Sequence, residues 1–231
     1  MGKRIIQQAR GHGGPVYRVR RKAFSIKPSY LTNLSGEFEI VKLILSAGHS
    51  APIIKLKAGD KVFYNLAANG LYQGQKIKIG GTENGDITEL KNLKNGTFVF
   101  NVENRSKDGG KFIRTGGNSG IIVNQGPGYV GIKMPSKQER KFNPDCRATI
   151  GIIAGDGRQE KPIVKAGKNF YIKGAKSKLW PRTSAIKMNA IDHPFGGGRG
   201  KRIKSKICKT NSPPGAKVGL LRPRRTGRKK K

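Results

Sequence analysis

Charge is spread so unevenly along this chain that it limits which parts can fold unaided. Residues 31–160 carry 18 basic and 12 acidic side chains, a net +6. Residues 1–30 carry eight basic residues and no acid, and residues 161–231 carry 22 basic residues and one acid, Asp192. A segment near charge balance can collapse like any small globular protein. A segment of one sign repels itself and becomes compact only against a polyanion. The total of +35 therefore describes a folded body with two basic arms, the arrangement of tails that run along nucleic acid. The second arm is more than a solvating tail. It holds Phe170, Tyr171, Leu179, Trp180, Met188, Ile191 and Phe195, and segments that stay disordered lack such residues. It is expected to order on a polyanion, as basic segments can, with a frayed end over Arg222 to Lys231.

The length of 231 residues suits one large or two small domains. No apolar run approaches the ~18 residues of a membrane span. The start, Met1-Gly2-Lys3-Arg4, leads into polar and basic residues, so the chain is expected to stay in the cytoplasm. Cys146 and Cys208 fit reduced thiols there. Together with His12, His49 and His193 they show no zinc-ligand spacing. No metal site or cofactor is expected, and magnesium enters only as a companion of RNA.

The body reads as two small β modules. Phe38, Ile40 and residues 42–45 form a β-rich run. Residues 53–66 resemble a hairpin turning at Ala58-Gly59-Asp60. Lys76-Ile77-Lys78-Ile79 alternates strictly, then Gly80-Gly81 stops it. In the second set, Phe98, Phe100 and Val102 alternate on a strand over 97–103. Two further strands flank a turn over 124–128. Arg140-Lys141-Phe142 and residues 148–153 complete the set. A boundary near residue 90 gives four regions: a basic extension over 1–35, modules over 36–90 and 91–170, and a basic, Gly-rich extension over 171–231.

Two motifs fail in context. Gly126-x-Gly128-x-x-Gly131 has the letters of a dinucleotide fingerprint, but that fingerprint needs a helix after it. Here a strand-like run ends at Pro135, so a glycine-rich hairpin turn is expected. Asp192 and His193 are neighbours, and adjacent side chains on extended backbone point apart, which makes a poor orienting dyad. With few acid pairs, no constellation supports an enzyme. One segment does stand out, Met188 to Gly200. Its glycines let backbone N–H groups approach phosphate, and Phe195 offers a π face to a base.

Asn189-Ala190-Ile191-Asp192-His193-Pro194-Phe195-Gly196-Gly197-Gly198 resembles the signature of the second protein of the large ribosomal subunit, a universal family. Phe195 resembles the archaeal and eukaryotic branch. Gly2 to Arg10-Gly11, Ser50-Ala51-Pro52, Asn101-Val102-Glu103, Gly109-Gly110-Lys111-Phe112, residues 145–151, Trp180-Pro181, Pro213-Pro214-Gly215 and Arg225-Thr226-Gly227-Arg228 agree in the family's order. Residues 182–187 depart from it. The resemblance implies a mainly β chain, with an OB-fold barrel followed by an SH3-like barrel and long basic extensions. It implies a primary rRNA-binding protein near the peptidyl transferase region that supports subunit association. The implied partners are large-subunit rRNA, other large-subunit proteins and the small subunit, with no membrane and no small-molecule substrate. His193 matches a family histidine, and packing or an RNA hydrogen bond is expected of it rather than proton transfer.

Expected RNA contacts follow. The first arm supplies Lys3, Arg4, Arg10, Arg18, Arg20, Arg21 and Lys22. The body supplies Lys111, Arg114 and Arg147. The second arm supplies Lys165, Lys168, Lys173, Lys176, Lys178, Trp180 and Arg182. Its Gly-rich segment adds His193, Phe195, Gly196, Gly197, Gly198 and Arg199, followed by Lys201, Arg202, Lys204 and Lys206. Arg224, Arg225 and Arg228 lie near the end. The alternative is a basic DNA-binding or chromatin protein, against which the lack of a recognition-helix pattern counts. An RNA-processing enzyme with an OB fold is a third class, opposed by the missing acid clusters.

Overall fold

The structure is a computed structural model that describes residues 3–6, 12–20, 22–198 and 211. The chain divides into two compact units, one of residues 20–166 and one of residues 1–19 with 167–231. The first is the body and is mainly β.

Its first sheet has four strands: β1 (Glu37–Ile44), β2 (Ile53–Ala58), β3 (Lys61–Leu66) and β4 (Lys76–Lys78), in the order β3-β2-β1-β4. Pairing runs from Ile53 opposite Leu66 to Ala58 opposite Lys61. Gly59-Asp60 is therefore the whole loop of the expected hairpin. Gly59 takes φ +54°, the sign such tight loops demand. In β1, Phe38 and Ile40 are buried, and a bulge between Ile40 and Lys42 shifts the register. Beyond it Leu43 is exposed, because one extra residue bends the strand and disrupts its ladder. Ile77 is fully buried between two exposed lysines, as alternation predicts. Isolated bridges of Ser29 to Tyr64 and Ile79 to Ile87 extend the two edges. The order and the bulged central strand fit an OB-type module.

The second sheet has six antiparallel strands: β5 (Ile87–Glu89), β6 (Phe98–Phe100), β7 (Gly120–Gly126), β8 (Tyr129–Lys133), β9 (Glu139–Phe142) and β10 (Arg147–Ile150). Their order is β5-β10-β6-β7-β8-β9, consistent with an SH3-like barrel. The strand expected over 97–103 stops at Phe100, because Asn101 takes φ +48° and Val102 bridges to Phe112. Phe98 is exposed while Val99 and Phe100 are both buried, so burial does not alternate along β6. The turn expected over 124–128 shrinks to Pro127-Gly128, since β7 stays paired to Gly126. Gly128 has φ +82°, and Pro followed by such a Gly is the type II pattern. The dinucleotide-like letters are thus a hairpin, as expected.

Each sheet has its own core, and the two interlock. Leu66 and Ala68, at the end of the first meander, pack in the second core, while Ile87 of β5 packs in the first. β5 precedes residue 90 yet pairs with β10. Residues 20–35 also join the body. Tyr30 is buried in the first core, and its hydroxyl donates to the Asn101 carbonyl at 2.9 Å. Thr149 Oγ1 lies 2.6 Å from Tyr30 Oη, and Asn65 Nδ2 donates to Thr149 Oγ1 at 3.0 Å. With the Tyr30 proton committed to Asn101, Thr149 is left to donate to Tyr30. Burial pushes the Tyr30 phenol well above its ordinary range, so it stays a donor.

The other unit holds α1 (Ala166–Ala175), none of whose residues is buried. Gly167 and Gly174 weaken its helical signal, which is why the sequence barely marks it. Ser177 N–H donates to Gly174 O at 3.1 Å and Lys178 N–H to Lys173 O at 3.0 Å. Ser177 has φ +53°. These are the two bonds and the left-handed residue of a Schellman cap, with Ser where Gly is usual. The Ser177 hydroxyl donates to the Arg18 carbonyl at 2.9 Å, which ties the N-terminal segment to the helix end.

Candidate nucleic-acid interface

The Gly-rich segment forms a loop closed on itself. Asp192 and His193 N–H groups donate to Asn189 O, Gly196 N–H to His193 O at 2.8 Å, and Gly197 N–H to Met188 O at 3.0 Å. A Cβ on Gly196 would collide with the Asn189 carbonyl. That glycine is required by the loop's own closure, and its N–H already has a partner. Gly197 and Gly198 are exposed, with φ +74° and +84°. His193 is buried at 6% exposure, and its Nδ1 accepts the Phe195 N–H at 3.1 Å. The neutral ring therefore carries its proton on Nε2. Its ring centroid lies 4.9 Å from that of Phe195, which is half-buried. Asp192 pairs instead with Lys3 at 3.4 Å, and Lys3 N–H donates to Ile191 O. The position a carboxylate would need in order to orient His193 is thus taken by backbone.

Beside the loop, His193, Met188, Ile6, Arg182 and residues 183–185 line an open cleft of about 380 Å³. A second cleft, of about 500 Å³, is lined by Tyr17, Lys173, Ser177, Lys178, Leu179, Trp180 and Arg182. Of the expected contacts in this unit, Lys3, Arg4, Arg18, Lys168, Lys173, Lys178 and Arg182 are exposed, and Lys176 and Trp180 are half-buried. Arg10, Arg199, Lys201, Arg202, Lys204, Lys206, Arg224, Arg225 and Arg228, and Arg21 of the body, lie outside the described residues.

In the body, Arg20, Lys22, Lys111 and Lys165 are exposed. Arg147 does not belong with them. Its guanidinium is buried and reaches Glu103, itself 0% exposed, at 2.7 Å. It also donates to the Leu31 carbonyl at 2.8 Å, and its backbone N–H donates to Glu103 Oε2 at 2.9 Å. A guanidinium with those partners is a core brace, and the phosphate contact expected of it is corrected accordingly. Burial alone would raise the Glu103 carboxyl, but the bonds from Arg147 and the Gly109 N–H hold it below the usual range. Arg114 is half-buried and donates to the Pro28 carbonyl at 2.7 Å. It lines a cleft of about 430 Å³ with Lys27, Lys111, Phe24 and His49. Burial, then the Arg114 charge, lowers the His49 pKa, so the ring is neutral at physiological pH. His49 Nδ1 lies 2.8 Å from Ser46 Oγ.

Sequence reasoning missed Tyr17, Lys27 and His49 as cleft residues. Each is ordinary in its own neighbourhood, and only folding gathers them beside the expected cations. Burial pushes the Cys146 thiol up to about 11, so it is a packed, unreactive group.

Residues 83–214 match a family model described as the C-terminal domain of ribosomal proteins L2. The chain is 42% identical over 236 residues to the large ribosomal subunit protein uL2 of Archaeoglobus fulgidus, covering 98% of this chain and 99% of that one. It is 41% identical over 240 residues to the protein of that description from Hyperthermus butylicus, covering all of both chains. The corresponding protein of Methanococcus maripaludis is 37% identical, covering 99% of this chain and all of the relative.

Proposed function

The chain belongs to the ribosomal protein L2 family, and from that premise we propose how it serves the large subunit: as an rRNA-binding protein whose two units meet RNA in different ways. It is a structural constituent of the large subunit and not an enzyme. The chromatin alternative falls with the family assignment.

The unit built from both chain ends neutralises phosphates. The observation that carries this reading is electrostatic. Among the described residues, Lys3 is the only cation of this unit with a carboxylate partner. Unanswered cations release counterions when they meet phosphate, which supplies affinity without sequence information. The body docks by shape through loops and 2′-OH contacts, and the cleft lined by Lys27, Lys111 and Arg114 is a basic recess on it. In this reading the protein sits in a cytoplasmic ribosome, close to the peptidyl transferase region, with a contact to the small subunit. The protein needs no cofactor, and magnesium accompanies the RNA. No helix among the described residues is long and apolar enough to cross a membrane.

The test is rRNA binding as a function of salt, with and without residues 171–231. Deletion is expected to weaken binding by roughly 10³-fold or more at low salt and to flatten the log–log slope. An unchanged slope would refute the role given to that segment.

A further inference from the structure

The cleft beside the Schellman cap combines features that no element of the unit answers. Tyr17 and Trp180 both line it, and among the described residues neither ring stacks on another ring or lies under a cation. Lys173, Lys178 and Arg182 share the lining, and none has a carboxylate within ion-pair distance among the described residues. Its volume of about 500 Å³ falls in the ~300–1,000 Å³ range of clefts that take small ligands. The placement is also built. The cap turns the chain sharply after α1, which brings Lys178 back beside Lys173, and the bond from Ser177 to Arg18 holds the Tyr17 segment at the same place.

Free π faces ringed by unpaired cations suit a ligand that is both aromatic and anionic. We propose that this cleft receives one unpaired nucleotide of RNA, its base stacked on Trp180 or Tyr17 and its phosphates held by Lys173, Lys178 and Arg182. Stacking tolerates any base, since every base has a π face, so the site reads strandedness rather than sequence. A duplex cannot enter, because its bases already stack on one another. The proposal rests on the rRNA-binding reading and narrows it to a defined class of contact.

Trp180 is the only tryptophan in the chain, so its fluorescence reports on this cleft alone. Intact protein is titrated with a short oligoadenylate, with AMP and with inorganic polyphosphate. Binding of the two polymers is followed separately by displacement of a labelled rRNA fragment. Oligoadenylate is expected to quench Trp180 saturably. Polyphosphate should displace the fragment yet leave the emission unchanged. Tyr17→Leu, Lys178→Gln and Arg182→Gln together should weaken the quenching titration roughly 5- to 150-fold, the span of one stacked base. Oligoadenylate binding without quenching, or equal quenching by polyphosphate, overturns the stacked nucleotide while rRNA binding stands. Equal quenching by AMP at the same nucleotide concentration makes the ligand a free nucleotide and overturns the RNA assignment. Failure to bind the rRNA fragment at all strikes the underlying function as well.

Discussion

The two units hold the same number of basic residues, 24 each, and differ in acid: the body has 12 Asp and Glu, the other unit only Asp192. The net charges are +12 over 147 residues and +23 over 84. The lesson is that cation content alone does not distinguish the two units; the supply of acid does. In the body the acids complete structure. Glu103 answers the buried Arg147. Asp86 accepts the N–H groups of Lys78 and Glu83, and Asp108 those of Asn104 and Gly110. Glu37 sits near Lys76 and Lys78 on the surface. In the other unit, among the described residues, Lys3 alone has a carboxylate partner.

Breaking the body's internal answer should have the largest effect. Glu103→Gln leaves Arg147 buried without its counter-charge, which costs about 3–5 kcal/mol in comparable buried pairs. Urea unfolding should show that loss, while Trp180 emission in the other unit stays as in the parent. A loss under about 1 kcal/mol would mean that solvent reaches the pair. The same pair sets the acid limb. A carboxyl held below its usual value contributes stability that is present above the unfolded pKa of ~4.3 and is lost as pH falls through the lower folded value. The body's melting temperature should hold from neutral pH to about 5 and fall below about 4. In Glu103→Gln that step should shrink.

Tyr30→Phe comes next. It removes the donor to the Asn101 carbonyl and the acceptor for Thr149, at about 1–2 kcal/mol. Smallest should be Asp192→Asn. The Lys3 pair is exposed on both sides, and such pairs contribute at most about 1 kcal/mol. Hydrogen exchange at Gly196 and Gly197 should change little, because backbone bonds close that loop.

Much of this was readable beforehand, for physical reasons. The hairpin over 53–66 and the alternation around Ile77 are local patterns, and local patterns survive folding. The strand over 97–103 failed at Asn101, whose positive φ serves tertiary packing: the Asn101 side chain bonds Asn65 at 2.9 Å, far off in sequence. Arg147 looked like the other arginines because its partner is 44 residues away. His49 and Tyr17 had no local mark at all. Gly196 was expected for access to phosphate and proves necessary for loop closure, a distinction that only its packed neighbours reveal. Charge partition kept its direction but moved its boundary: residues 20–30 and 161–166 fold with the body, whose net charge is +12, against +6 over residues 31–160 alone.

The division of labour is tested most directly by the salt dependence of large-subunit rRNA binding in two triple variants of the intact chain. One replaces Lys173, Lys178 and Arg182 with Gln; the other replaces the exposed body residues Lys76, Lys78 and Lys91, each of which has a carboxylate partner. Both remove three charges. The account predicts that the first variant lowers the log–log slope by roughly 2–3, since each phosphate left without its cation takes away about 0.7–0.9. The second variant should keep the slope of the parent to within about 0.5. Equal reductions in the two, or a larger one from the body, would contradict it.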